Sequence, residues 1–198
     1  MAPSRSRRHE ILEQATRRAA RDGLDGVSIG LLAGDLQMSK SGLFSHFDSK
    51  EGLKLAVLEF AAERFSEYAI RPALREPRGE PRLRALFNNW LDWQDNNPFG
   101  SGCLFVAAAS ELDDQQGPSR ERLVALERDF FDLIANVVQT GISEGQYAPE
   151  TDPAQIAHEV RTIFLGHHHA SRLLRDPVAS DRARTTFERL LRDLRRPS

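Results

Sequence analysis

The chain has 198 residues, 40% of them hydrophobic, and a formal net charge of −2, which is enough apolar material for one large helical unit or two small ones. No apolar run approaches the roughly 18 residues that span a bilayer, Met1 to Arg8 is too polar for a secretory leader, and a single cysteine, Cys103, excludes an internal disulfide and fits a reducing cytoplasm. The charge balance argues against a generic polyanion binder, yet residues 1–50 carry 8 Lys or Arg against 6 Asp or Glu and residues 51–198 carry 19 against 23, so the basic end comes first.

Arg5, Arg7 and Arg8 precede any acid. Such an arm follows phosphates or enters a minor groove, or is a solvated tail. A first helix is expected from Ser4 or Ser6 to about Asp22, with Ile11, Leu12, Ala15 and Ala19 inside, and Gly23 ends it. Ser28 to Phe47 then reads as two short helices joined by a tight turn. Ile29, Leu32, Ala33 and Leu36 fall at i, i+3, i+4 and i+7, and Ser28 is placed to cap them. Gln37 and Met38 form the turn. Ser39 caps the next helix, on which Leu43 and Phe47 face inward with Met38, leaving Lys40, Ser41, Gly42, Ser45 and His46 outside. A short helix showing small polar groups and one cation suits the floor of a major groove. The competing reading is a helical hairpin within an all-α core, because this spacing is loose.

Asp48 or Ser49 caps a fourth helix, with Glu51 placed like the acid of a capping box. Leu53, Ala56, Val57, Phe60, Ala61 and Phe65 continue its stripe to about Ala69, a length of about 30 Å for 20 residues. A fifth helix is expected from about Pro81 to Asn96, a sixth from Cys103 to about Leu112, a seventh from about Ser119 to Ser143, an eighth from about Pro153 to Arg175, and a ninth from about Ala179 to Leu194. Period-2 runs flanked by turns are absent from the sequence, so no strand is expected.

The run Ser39-Lys40-Ser41-Gly42-Leu43-Phe44-Ser45-His46-Phe47, followed by Asp48-Ser49-Lys50-Glu51-Gly52-Leu53, resembles the TetR family of bacterial one-component regulators. Ile11, Ala15, Gly23, Ser28, Leu32 and Ala33 extend the match. Two positions depart from the family pattern: Gln37-Met38 replaces a Gly before a turn valine, and Phe44 replaces a tyrosine whose hydroxyl typically meets a phosphate. The resemblance implies a fourth helix that transmits ligand occupancy to two reading heads and an inducer cavity between helices of the larger domain; the sequence carries no catalytic constellation, so no enzymatic activity is expected.

Other constellations are weaker. His167-His168-His169 point about 100° apart on a helix and cannot converge on one metal ion; His167 is expected to face a core or dimer seam and the other two solvent. Glu111, Asp113 and Asp114 lack a nucleophile or metal motif and are expected to be solvated acids. Gly100-x-Gly102 follows a helix rather than a strand and is no phosphate loop. Cys103 is a small buried hydrophobe or a redox sensor.

The expected architecture is all-α. An N-terminal three-helix helix-turn-helix domain (1–50) precedes a larger helical ligand-binding and dimerisation domain (51–198), with about nine helices in total. Expected DNA-binding residues are Ser28, Ser39, Lys40, Ser41, Gly42, Phe44, Ser45, His46 and Lys50. A pocket for a small apolar or amphipathic ligand is expected among Phe87, Trp90, Trp93, Phe99, Cys103, Phe105, Phe130, Phe131 and His167. A homodimer seam is expected along Ile156, Val160, Phe164, Phe187, Leu190, Leu191 and Leu194. Partners are thus an operator duplex, a second copy and a small ligand, with neither cofactor nor metal. The alternative is a helical regulator whose C-terminal domain binds a protein partner.

Overall fold

The computed structural model describes residues 7–96, 98–100 and 103–195. Ser4, Arg5, Ser6 and Gly102, invoked above, lie outside them. Among the described residues the secondary structure is wholly helical. We number the helices α1 (Arg7–Asp22), α2 (Ile29–Asp35), α3 (Lys40–Phe44), α4 (Lys50–Phe65), α5 (Glu80–Asn96), α6 (Leu104–Leu112), α7 (Pro118–Ser143), α8 (Pro153–His168) and α9 (Ala179–Leu194). Helix α4 continues through a π-helical turn, Ser66–Ile70, into Arg71–Ala73, and α8 ends in a second π-turn, His169–Leu173.

The chain packs as two compact units, one made of residues up to 64 with 96–126, the other of 65–95 with 127–198. In the first, Ile11, Leu12, Ala15, Leu24, Leu32, Leu43, Phe47, Leu53 and Val57 share a core with Leu104, Ala108, Leu112 and Leu123 from α6 and α7. The stripes read from the sequence are the buried faces. The carboxylate of Glu111, read above as solvated, instead accepts the backbone N–H groups of Leu24 at 2.7 Å and Asp25 at 2.5 Å. Gly23 permits this approach: its φ is +82°, and an added Cβ would stand 2.8 Å from Glu111 Oε2. Glu51 does not close a capping box either. Ser49 Oγ caps α4 by accepting Gly52 N–H at 2.9 Å, while Glu51 accepts Ser119 N–H at 2.8 Å, at the start of α7. Arg122 and Glu59 add a two-point ion pair between α7 and α4.

The second unit is organised by rings. Phe87 of α5 lies parallel to Phe187 of α9 at 3.9 Å, and Trp90 of α5 stacks on Phe164 of α8 at 4.0 Å. Phe65 meets Trp93 and Phe130 edge-on at 5.6 and 5.3 Å. Truncating such a buried ring to alanine costs about 3–5 kcal/mol. The end of α9 is tied to the start of α5 by Arg195 and Glu80, and Arg84 bridges Glu80 and Glu188. In the first π-turn the Ala69 carbonyl is met by Asn89 Nδ2 at 2.9 Å, and the Tyr68 hydroxyl donates to Asp92.

His167 is buried and His168 half-buried, so the expectation that His168 is solvated holds only in part. His167 Nε2 pairs with Ser180 Oγ at 3.1 Å, and His168 Nδ1 donates to Gln94 Oε1 at 3.1 Å. Desolvation holds both imidazoles below their ordinary range; Asp95 opposes this at His167 and Arg184 reinforces it, while Arg172 and the neighbouring histidines reinforce it at His168. Both are therefore more readily protonated in the unfolded chain. Stability is full above about pH 7 and falls as the pH drops through the ordinary imidazole value near 6.5, by at most about 1.4 kcal/mol per pH unit for each group. Thermal midpoints at pH 7.5 and 5.5 should show this loss, and His168→Gln should shrink it. An equal pH dependence in wild type and in both His167→Gln and His168→Gln would refute the assignment.

Candidate nucleic-acid interface

The two short helices of the reading head are held by their caps. Ser28 Oγ accepts Leu31 N–H at 3.2 Å, and Ser39 Oγ accepts Gly42 N–H at 3.0 Å. Each cap is worth about 0.5–2 kcal/mol against alanine, which matters for helices of seven and five residues. Gly42 serves this cap directly, since a Cβ there would stand 3.0 Å from Ser39 Oγ. Gln37 supplies the turn with φ +53°, a left-handed conformation that glycine adopts without steric cost. Met38 N–H closes the turn on Ala33 O at 2.9 Å.

What remains on the outside of α3 is Lys40, Ser41, Phe44 and Ser45, all exposed, with Gly42 and His46 half-buried. Ser41 Oγ lies 3.3 Å from Ser39 Oγ, and Ser45 Oγ donates to Gly42 O at 2.8 Å. Both hydroxyls thus have local partners and keep accessible lone pairs. Among the described residues no carboxylate lies within ion-pair range of Lys40. Its stem lies back over α2, where a Cβ on Gly30 would be 3.5 Å from Lys40 Cε.

Lys50 differs. It lies 3.3 Å from Asp25, whose Oδ1 also receives the buried Lys54 at 2.6 Å. The Lys54 hydrogen bond, helped by Lys50 and opposed by desolvation, lowers the Asp25 pKa to about 2. Lys54 and Asp25 escaped the sequence reading, since no local spacing pairs residues 29 apart. Arg7 of the basic arm donates to Leu36 O at 3.1 Å, at the end of α2, and Arg8 stands 5.3 Å over the Phe47 ring.

The other expected sites are distributed differently. Of the pocket residues, Phe87, Trp90, Trp93, Phe130, Phe131 and His167 belong to the second unit, whereas Phe99, Cys103 and Phe105 belong to the first, where Phe99 packs 6.2 Å from Phe60. The seam residues Ile156, Val160, Phe164, Phe187, Leu190, Leu191 and Leu194 are buried within the single chain. They are core side chains of the chain itself. Leu165, Leu173, Leu174 and Val178, in α8 and the segment after it, are the large apolar residues left exposed there.

The profile described as "Bacterial regulatory proteins, tetR family" matches residues 11–57, and "Tetracyclin repressor-like, C-terminal domain" matches residues 79–187. A curated relative, the HTH-type transcriptional repressor AcnR of Corynebacterium diphtheriae, is 33% identical over 85 residues, 43% of this chain; the match spans only 45% of that relative's length. A TetR transcriptional regulator from Chloroflexus aurantiacus J-10-FL superposes with a TM-score of 0.82 at 26% identity, covering 93% of this chain and 92% of that one. AibR, solved in complex with isovaleryl coenzyme A and operator DNA, shares the fold with a TM-score of 0.71 at 21% identity over 91% of this chain and 97% of its own. With both profiles in place on a capped helix-turn-helix and a ring-packed helical unit, the chain belongs to the TetR family of bacterial transcription regulators.

Proposed function

We propose that this regulator is a cytoplasmic repressor that binds a near-palindromic operator as a homodimer and is released by a small apolar or amphipathic ligand. The observation that carries the proposal is the outer side of α3, where Lys40, without a carboxylate partner among the described residues, and two accessible hydroxyls stand on a helix capped at its start. Residues 1–50 do the reading and 51–198 the dimerisation and ligand binding. Lys40 and Ser41 meet base edges; Gly42 and Phe44 lie against the groove; Ser28, Ser39, Ser45, His46 and Lys50 fix the register on phosphates. Ser39 and Lys50 do so while also holding Gly42 N–H and Asp25.

A dimer is required because one chain has one reading helix, and two must stand about 34–36 Å apart to enter successive major grooves on one side of the duplex. Exposed Leu165, Leu173, Leu174 and Val178 supply the apolar surface for it. For the ligand, support comes from the second unit, where Gln94 Nε2 and His167 Nδ1 are buried beside the rings without hydrogen-bond partners among the described residues. Buried polar atoms are rarely left so, and a polar group on an otherwise apolar ligand would satisfy them. AibR's bound acyl-thioester, a polar head with an apolar tail, is a ligand of that general kind.

If some 8 phosphates meet cationic groups in the dimer, log affinity should fall against log salt with a slope near about −7. Lys40→Ala should relax sequence preference; equal losses on operator and random duplexes would reassign Lys40 to a phosphate.

Leu173→Glu should weaken dimerisation at least tenfold while leaving the thermal midpoint of the dissociated chain unchanged. Leu190→Glu should instead unfold the second unit, because it buries an unpaired charge. Tight palindrome binding by a wild-type monomer at micromolar concentration would remove the dimer.

Trp90 and Trp93 are the only tryptophans. A ligand that weakens operator binding tenfold must bind the operator complex about tenfold more weakly, a coupling of roughly 1.4 kcal/mol. Its titration should change tryptophan emission and release labelled operator over one concentration range. Emission changes without release would separate binding from switching.

A further inference from the structure

The outer side of α3 carries one group that does not fit its polar neighbours. Phe44 is 48% exposed, on a helix whose other outward residues are lysine, serines and glycine. Its ring and Ile29 are walls of an open recess of about 530 Å³, completed by Gly30, Lys40, Ser41 and Ser45. The recess wall is almost wholly apolar. The methylenes of Lys40 lie along it, since Cε stands 3.5 Å and Nζ 3.8 Å from where a Gly30 Cβ would be. The lysine side chain thus lies along the wall beside Gly30.

An apolar recess facing a duplex gains only if it meets apolar atoms. Base-pair edges in the major groove offer hydrogen-bond donors and acceptors, and the one apolar group there larger than a ring C–H is the C5-methyl of thymine. The remaining apolar atoms of DNA are sugar carbons on the backbone, outside the reach of a helix lying in the groove floor. Lacking a hydroxyl, the Phe44 ring has no polar edge to direct toward a phosphate, and its exposed edge and the Ile29 side chain are matched to a methyl group.

We propose that Phe44 and Ile29 receive the C5-methyl of one thymine in each operator half-site, which makes Phe44 a specificity-determining residue for thymine over cytosine there. The inference rests on the proposal that α3 reads the major groove. Discrimination arises because cytosine lacks the methyl and presents a donor where thymine presents O4. The recess is indifferent to the rest of the ring, so it also accepts 5-methylcytosine.

The test uses the full-length chain and an operator selected from random duplexes. Each thymine is replaced singly by deoxyuridine, which removes the methyl and alters nothing else on the edge. One thymine per half-site should show an affinity loss of about fourfold, the factor corresponding to about 0.8 kcal/mol for one buried methyl, and roughly fifteenfold when both half-sites are changed. Phe44→Ala should bind the thymine and uracil operators equally, and Phe44→Tyr, which keeps the ring, should retain the difference. At the same position, 5-methylcytosine should bind more tightly than cytosine to wild type and not to Phe44→Ala. Selective binding with no methyl-sensitive thymine, or a methyl penalty unchanged in Phe44→Ala, overturns this inference while leaving the groove reading intact. If no duplex binds at all, the groove reading falls, and this inference with it.

Discussion

Two backbone amides, those of Leu24 and Asp25, point into the carboxylate of Glu111, 87 and 86 residues away. The loop they belong to joins α1 to α2, so its conformation sets how the reading helices are presented. Left in a partly buried loop without partners, each amide would cost about 1–3 kcal/mol. A single side chain answers both, and Gly23 exists to let it in. The head is therefore not a self-sufficient three-helix bundle. Its apolar core is completed by Leu104, Ala108, Leu112 and Leu123, and its polar loop by an acid from the same helix α6. The first turns of helix α7 belong to the head's unit, through Ser119 and Arg122, and the remainder to the other unit.

Much of this was legible in the sequence, because it is local. Ser28 and Ser39 act three residues ahead, on Leu31 and Gly42, and the three-and-four spacing of Leu32, Ala33, Leu43 and Phe47 predicts which faces are buried. Glu111 and Glu51 are not legible in the same way because their partners are remote; an acid near a helix end looks solvated until the amide it faces is known. The expected seam rests on a stripe of the same kind. An apolar stripe such as Ile156, Val160 and Phe164 states that a face is covered but not by what, and here the cover is Phe87, Trp90 and α9 of the same chain. The leucines left exposed, Leu173 and Leu174, lie where the helical period is broken.

Electrostatics in the first unit serve placement more than affinity. Asp25 collects Lys50 and Lys54, one at the surface and one buried, and so anchors the start of α4 beside the loop that Glu111 holds. A buried ammonium needs such a partner. Among the described residues Lys40 is left without a carboxylate in ion-pair range, whereas Arg18 is committed to Asp35 and Lys50 and Lys54 to Asp25. In the second unit the Glu80, Arg84, Glu188 and Arg195 network does similar work at one end of the ring-packed core.

The π-turn at His169–Leu173 has a further meaning for how this surface varies among relatives. A π-turn holds one more residue than an α-turn, so the side chains after it are rotated relative to the stripe that precedes it. His167, before the turn, is buried; Leu173 and Leu174, at its end, stand 70% and 64% exposed. The azimuth of these leucines is thus encoded by a count of residues rather than by their identity. A relative lacking one residue here would run as plain α-helix and carry the same two leucines round by about a quarter turn, to face a different neighbour. Aligned by residue type, two such chains would look alike at this surface; aligned by phase, they would present different faces to solvent.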